Sequence, residues 1–170
     1  MAIITDNVVR DFTLKPANDK FGSDAMPLMQ RVVHVAAIAA ADAESVDREA
    51  RFPKAAIDAA REYGLLGAQI PIEFGGESAS IHDIAEMCYA LGRACASTAM
   101  IVAMHQTKVA CPVRHGRGSA RHEQLMRRIA AEQMLLASST TEGNNGGNIR
   151  SSAAAIARTE TGISRCATRL

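Results

Sequence analysis

Residues 61–76 read Arg61-Glu62-Tyr63-Gly64-Leu65-Leu66-Gly67-Ala68-Gln69-Ile70-Pro71-Ile72-Glu73-Phe74-Gly75-Gly76. A helix ends here and a loop follows. Gly64 can supply the left-handed residue that stops a helix, and Gly67, Pro71, Gly75 and Gly76 interrupt any regular element after it. The helix being stopped starts near Pro53, whose missing N–H costs nothing in a first turn. Upstream again, Leu28, Val32, Val35, Ala39 and Val46 keep one face apolar through about five turns of a longer helix. Asp42, Glu44, Asp47, Arg48 and Glu49 crowd its end, and the chain up to Asp24 is polar and aperiodic.

Downstream, Ser80-Ile81-His82-Asp83 reads as a variant capping box opening a third helix. Ile81, Ile84, Cys88, Leu91 and Cys95 form its expected buried stripe, with Asp83, Glu86 and Arg93 outward. Ser97 is the expected N-cap of a fourth helix, from Thr98 to about Ala110, which Pro112 ends or kinks. Gly116 and Gly118 complete the connection. Ser119 caps a fifth helix, with Leu125 and Ile129 inside and Arg127 and Arg128 outside. From Met134 the character changes. Met134–Thr141 suits a strand, residues 143–148 a Gly/Asn turn, and Ile149–Arg158 a returning strand. The expected fold class is mainly α: a helical domain followed by the beginning of a β-domain. The segments are 1–25 (extended), 26–133 (helical domain), 134–158 (first strands of the β-domain) and 159–170 (a tail).

The chain has 170 residues, 48% hydrophobic and 22% charged, with a net charge of +1 from 19 basic and 18 acidic side chains. This balance gives no footing for a nucleic-acid partner, and no stretch reaches the roughly 20 apolar residues of a membrane span. Residues 1–21 carry three aspartates and no apolar signal core, so the cytoplasm is the expected location. Cys88, Cys95, Cys111 and Cys166 have uneven spacing and read as reduced thiols.

The reactive-looking residues have plainer explanations. His105, Cys111, His115 and His122 lack the spacing of a metal site, and Pro112 disturbs the one i,i+4 pair. Arg114, Arg117, Arg121, Arg127 and Arg128 could hold a phosphate but read as a solvated turn and helix face. The glycine-rich turn at 143–148 has neither the Gly-Lys-Ser/Thr ending nor the GxGxxG spacing of phosphate loops. Cys88 and Cys111 read as structural thiols rather than nucleophiles, and Met87, Met100, Met104 and Met126 as core.

Three segments together resemble the acyl-CoA dehydrogenase family over about Leu28–Ala157. In the 61–76 segment, Gly64-Leu65, Gly67, Pro71, Glu73 and Gly75-Gly76 are similar to a strong family mark between the second and third helices. Ser97-Thr98-Ala99-Met100, followed by His105, resembles the start of the family's next long helix. Leu135-Leu136-Ala137-Ser138-Ser139-Thr140-Thr141-Glu142-Gly143-Asn144-Asn145-Gly146-Gly147-Asn148 is similar to its flavin-contacting strand and turn.

The resemblance implies an FAD flavoprotein with a helical domain, a middle β-domain and a C-terminal four-helix domain. A glutamate there removes the α-proton of an acyl thioester while the β-hydride passes to the flavin. Carried over by position, Thr141 faces the flavin ring edge, with Ser138 and Thr140 beside it on the strand. Gly147 stands where the family has a serine that approaches substrate, and Gly143 and Asn148 also depart from its Thr-Glu-Pro and Gly-Ser-Asp patterns. These departures leave room for a reduced-flavin monooxygenase of the same fold. A free-standing helical interaction module is the alternative from another class.

None of Glu44, Glu62, Glu86, Glu123 and Glu132 occupies the position of the family's base, so no catalytic residue is assigned. In the family the C-terminal region supplies that base, further flavin contacts and the main oligomer interface. The 170 residues are therefore expected to be a truncated piece, inactive and without retained FAD when alone. The implied partners in the intact family are acyl-CoA, an electron acceptor and further copies in a homo-oligomer. Residues 159–170 do not resemble the family, and a frameshift is the expected cause.

Overall fold

A computed structural model describes residues 26–137 and the backbone of Ile156–Arg158 and Ser164–Cys166. The chain divides into two units after Ala137.

The first unit contains five helices: α1 (Leu28–Arg48), α2 (Lys54–Glu62), α3 (Ile81–Ala94), α4 (Ala96–His115) and α5 (Ala120–Glu132). In α1 the four-three-four spacing buries Val32, Val35 and Ala39, with Val46 at the far end. Pro53 is the N-cap residue of α2, and its carbonyl accepts the Ile57 N–H at 3.1 Å. Gly64, with φ 72°, terminates that helix, a conformation costly to residues with a Cβ. The segment after it is tighter than an open loop. Leu65–Gly67 and Ile72–Phe74 each form a 3₁₀ turn.

One apolar cluster joins α1–α4 through Val35, Ile57, Leu66, Met87, Leu91 and Val102. A second packs Ile70, Phe74 and Val109 against Met126, Ile129 and Ala130 of α5. Fully burying a side chain of this size contributes about 1.5–3 kcal/mol. Leu65, Leu66 and Ile70 are completely buried, so the middle of the 61–76 segment lies within the core, while Glu62, Ile72 and Glu73 are exposed. Its rim is held by Arg31, which donates to the Tyr63 carbonyl at 2.7 Å and pairs with Glu77.

Several local expectations need correction. The Ser80–Asp83 capping box forms, with both reciprocal bonds, but the buried stripe of α3 is Ile84, Met87 and Leu91. Ile81 is exposed because it is the first helical residue, and its side chain leans back beyond the core. Cys88 is only half-buried. Helix α4 begins at Ala96, two residues before the expected start at Thr98, and Cys95 rather than Ser97 is its N-cap residue. It runs through Pro112 to His115. Pro112 sits in the last turn and its own carbonyl takes the Gly116 N–H at 2.7 Å. Ser119 precedes α5 without a side-chain capping bond, its hydroxyl meeting His122 Nδ1 at 3.0 Å instead.

The methionines split into two groups. Met87 and Met126 are core, whereas Met100 and Met104 are exposed. Thr98, Val102, His105, Val109 and Pro112 form the inward side of α4 at four-three-four-three spacing, and Met100 and Met104 fall on the opposite side.

Met134–Ala137 is not helical. Met134 and Leu136 pack against the α5 cluster and Leu135 against the other, the alternation of an extended backbone. In the second unit, β1 (Ile156–Arg158) pairs antiparallel with β2 (Ser164–Cys166), with Ala157 opposite Arg165. Strand β2 lies wholly within the 159–170 tail. Of the expected strand over 149–158, only β1 falls among the described residues. No helix among them is long and apolar enough to cross a membrane.

Candidate functional site

The segment that leads to Ser138 is held by a buried polar network built on the first 3₁₀ turn. Helix α4 presents two consecutive polar side chains to the core, His105 and Gln106, with 0% and 1% exposure. His105 Nε2 lies 2.8 Å from the Leu66 carbonyl, and the Leu136 N–H reaches His105 Nδ1 at 3.0 Å. A peptide N–H can only donate and a carbonyl only accept. The ring is therefore neutral, with its proton on Nε2. Burial pushes its pKa below the usual histidine value, and the Leu66 bond opposes this in part.

Gln106 donates to the Leu65 carbonyl at 2.9 Å, and Gln69 donates to the Gln106 side chain at 3.0 Å. Gln133, just past α5 in a left-handed conformation (φ 48°), accepts the N–H groups of Leu66 and Gly67 at 3.0 and 3.1 Å. It also donates to the Ala130 carbonyl at 2.8 Å. Both main-chain polar groups of Leu66 are thus bound by side chains distant in sequence. Gly67 allows this approach, because a Cβ there would lie 2.8 Å from Gln133 Nε2 and 3.1 Å from Ala130 Cα.

Ser138, Thr140, Thr141 and Gly147 lie outside the described residues, as does the glycine-rich turn. The other candidates do not converge. His105 is in the network, Cys111 and His115 are exposed, and no group of three metal-ligating side chains occurs among the described residues. Two of the arginines meet at Glu73. Arg117 pairs with Glu73 at 2.9 Å, and Arg127 caps the Phe74 ring at 4.9 Å while donating to the Glu73 carbonyl. Arg128 is engaged by Glu132. Burial pushes the Cys88 thiol above its usual pKa, which suits a structural role. An open groove of about 620 Å³ runs past Phe52, Pro53, Ala96, Met100 and Ile101.

Sequence reading missed Gln106 and Gln133. Their partners lie 41 and 67 residues away, and no local spacing signals such pairs.

The profile of the family described as acyl-CoA dehydrogenase, N-terminal domain, matches residues 28–133. The chain belongs to the acyl-CoA dehydrogenase family. The match begins at the first residue of α1 and ends at Gln133, where the side-chain tie to Leu66 closes the helical unit. A cyclohex-1-ene-1-carbonyl-CoA dehydrogenase of Geobacter metallireducens is 34% identical over 85 residues, covering 50% of this chain and 22% of the relative. The matched part of the chain thus spans about a fifth of that relative's length. No solved structure matches the chain significantly.

Proposed function

We propose that this chain serves FAD-dependent α,β-dehydrogenation of acyl-CoA thioesters as the helical N-terminal part of the enzyme, and that it does not hold flavin or turn over alone. The observation carrying this reading is the match over residues 28–133 of the chain. Beyond it, Ser138, Ser139, Thr140 and Thr141 bring hydroxyl and peptide donors in sequence. This donor set suits the carbonyl and ring-nitrogen acceptors at a flavin edge. FAD, when bound, supplies the hydride acceptor. Thr141, with Ser138 and Thr140, would orient it, and Gly147 would leave room for the thioester.

The exposed Met100, which lines the Phe52–Ile101 groove, and Met104 give α4 a flexible apolar face. Such a face suits covering by the remainder of an enzyme or by an acyl chain. Partners on this reading are an acyl-CoA, an electron acceptor and further copies of the enzyme, in the cytoplasm.

The test is a chimera in which residues 28–133 replace the matching segment of the Geobacter metallireducens enzyme. Dye reduction by acyl-CoA thioesters is expected. A chimera that folds, loads FAD and reduces nothing overturns the proposal. Oxygenation of an aromatic substrate by reduced flavin would move the assignment to the monooxygenase branch.

A further inference from the structure

We propose that the outward face of α3 is an interface between two copies of this chain, which pair antiparallel across a two-fold axis beside Tyr89. The pairing needs neither flavin nor substrate, so it stands apart from the function proposed above.

The face is apolar where a solvated helix would be polar. Ile81 and Tyr89 are 66% and 63% exposed, and Tyr89 lies on the side opposite the buried Met87 and Leu91. At about 100° per residue the exposed side chains divide about Tyr89 into two flanks. One flank carries Ile81, Ala85 and Gly92, the other His82, Glu86 and Arg93. Among the described residues Glu86 and Arg93 make no ion pair. Arg93 rests over the Tyr89 ring, 5.9 Å from its centroid.

The two flanks select the partner. A two-fold axis perpendicular to a helix brings up an antiparallel copy with like flanks in contact. An axis along the helix gives a parallel copy with unlike flanks in contact and like charges level. Only the antiparallel copy sets apolar against apolar here. Charge and bulk also place the axis at the same point, because the midpoint of Glu86 and Arg93 falls beside Tyr89. Glu86 then meets Arg93 of the second copy and Arg93 meets Glu86, the reciprocal contact of an isologous interface. The two Tyr89 rings pack at the centre. Ile81 falls beside Ala96 of the second copy, which is exposed at the start of α4. A face with one charge of each sign two turns apart complements itself, not a uniformly acidic or basic partner. One pair of 14-residue helices buries less than the about 800 Å² per partner of a standard interface, so the dimer is weak and concentration-dependent.

The test is sedimentation equilibrium of the 170-residue chain beside Glu86→Arg, Arg93→Glu and the double variant. The wild-type chain should dimerise reversibly below about 1 mM. Each single reversal should weaken the dimer about tenfold, since like charges then face each other at two places. The double reversal should restore it. A chain that stays monomeric to that concentration overturns the proposal, as does a dimer indifferent to the single reversals or one that the double reversal leaves weak. If a variant fails to fold, dilution of the wild-type chain decides. Concentration-dependent amide resonances at His82, Glu86, Tyr89 and Arg93 support the interface, and shifts confined to other surfaces overturn it. Neither readout involves flavin or dye reduction, so the pairing and the proposed enzymology fail separately.

Discussion

The Leu136 N–H donates to His105 Nδ1 at 3.0 Å, and the opposite nitrogen of the same ring lies 2.8 Å from the Leu66 carbonyl. One neutral side chain therefore joins the centre of the family's glycine-rich mark to the chain leaving α5. The arrangement exists in a single protonation state. A proton on Nδ1 would face the Leu136 N–H and replace an acceptor by a donor.

The helical unit should lose stability as mild acid charges His105. The folded pKa lies below 6.5, the value expected in the unfolded chain. Between the two, the unfolded chain binds more protons, so stability is full above 6.5 and falls as pH drops through the folded pKa. Asp42, Asp58, Asp83 and Glu132 are also held below their usual values, by bonds to Arg51, Lys54, Ser80 and Arg128 respectively. Their losses come at lower pH, beneath the ordinary carboxylate range. Urea melts between pH 8 and 5 should show the histidine component, and His105→Gln should flatten it.

Gln133→Ala should destabilise the unit by about 1–3 kcal/mol, because the Leu66 and Gly67 N–H groups lose their acceptor inside the fold. Gln133→Gly loses the same bonds but accommodates the left-handed backbone. It should be less damaging than alanine by several tenths to about 1 kcal/mol. Chemical denaturation of the three proteins checks the order.

Met87→Ala should cost about 2–5 kcal/mol, as for other buried large-to-alanine changes, whereas Met100→Ala should stay within about 0.5 kcal/mol in this chain. Met87 is fully buried and Met100 is 64% exposed. Thermal melts of both variants distinguish the two sides of the paired helices.

The sequence made visible what short-range physics decides. Gly64 ends α2 because only local backbone geometry matters there, and Ser80 and Asp83 cap α3 because their partners are three residues apart. Helix α4 was legible as a helix but not in its orientation. Met100 and Met104 are as apolar as the residues opposite them, and periodicity cannot choose between two apolar sides. The helix passes the expected end near Ala110 and runs to His115, because a proline in the final turn has little helix left after it to end. The sequence leaves His105 with a packing or surface role; its two partners lie 39 and 31 residues away and leave no local trace. The flavin-facing positions Ser138, Thr140 and Thr141 rest on family resemblance, outside the described residues.

The most direct test of the account is the visible absorbance of the 170-residue chain after gentle purification, read with a dye-reduction assay on several acyl-CoA thioesters. The account predicts a folded, strongly helical protein with little or no flavin absorbance and no turnover. One FAD per chain with acyl-CoA-dependent dye reduction would mean that these residues form a complete site by themselves, and would contradict it.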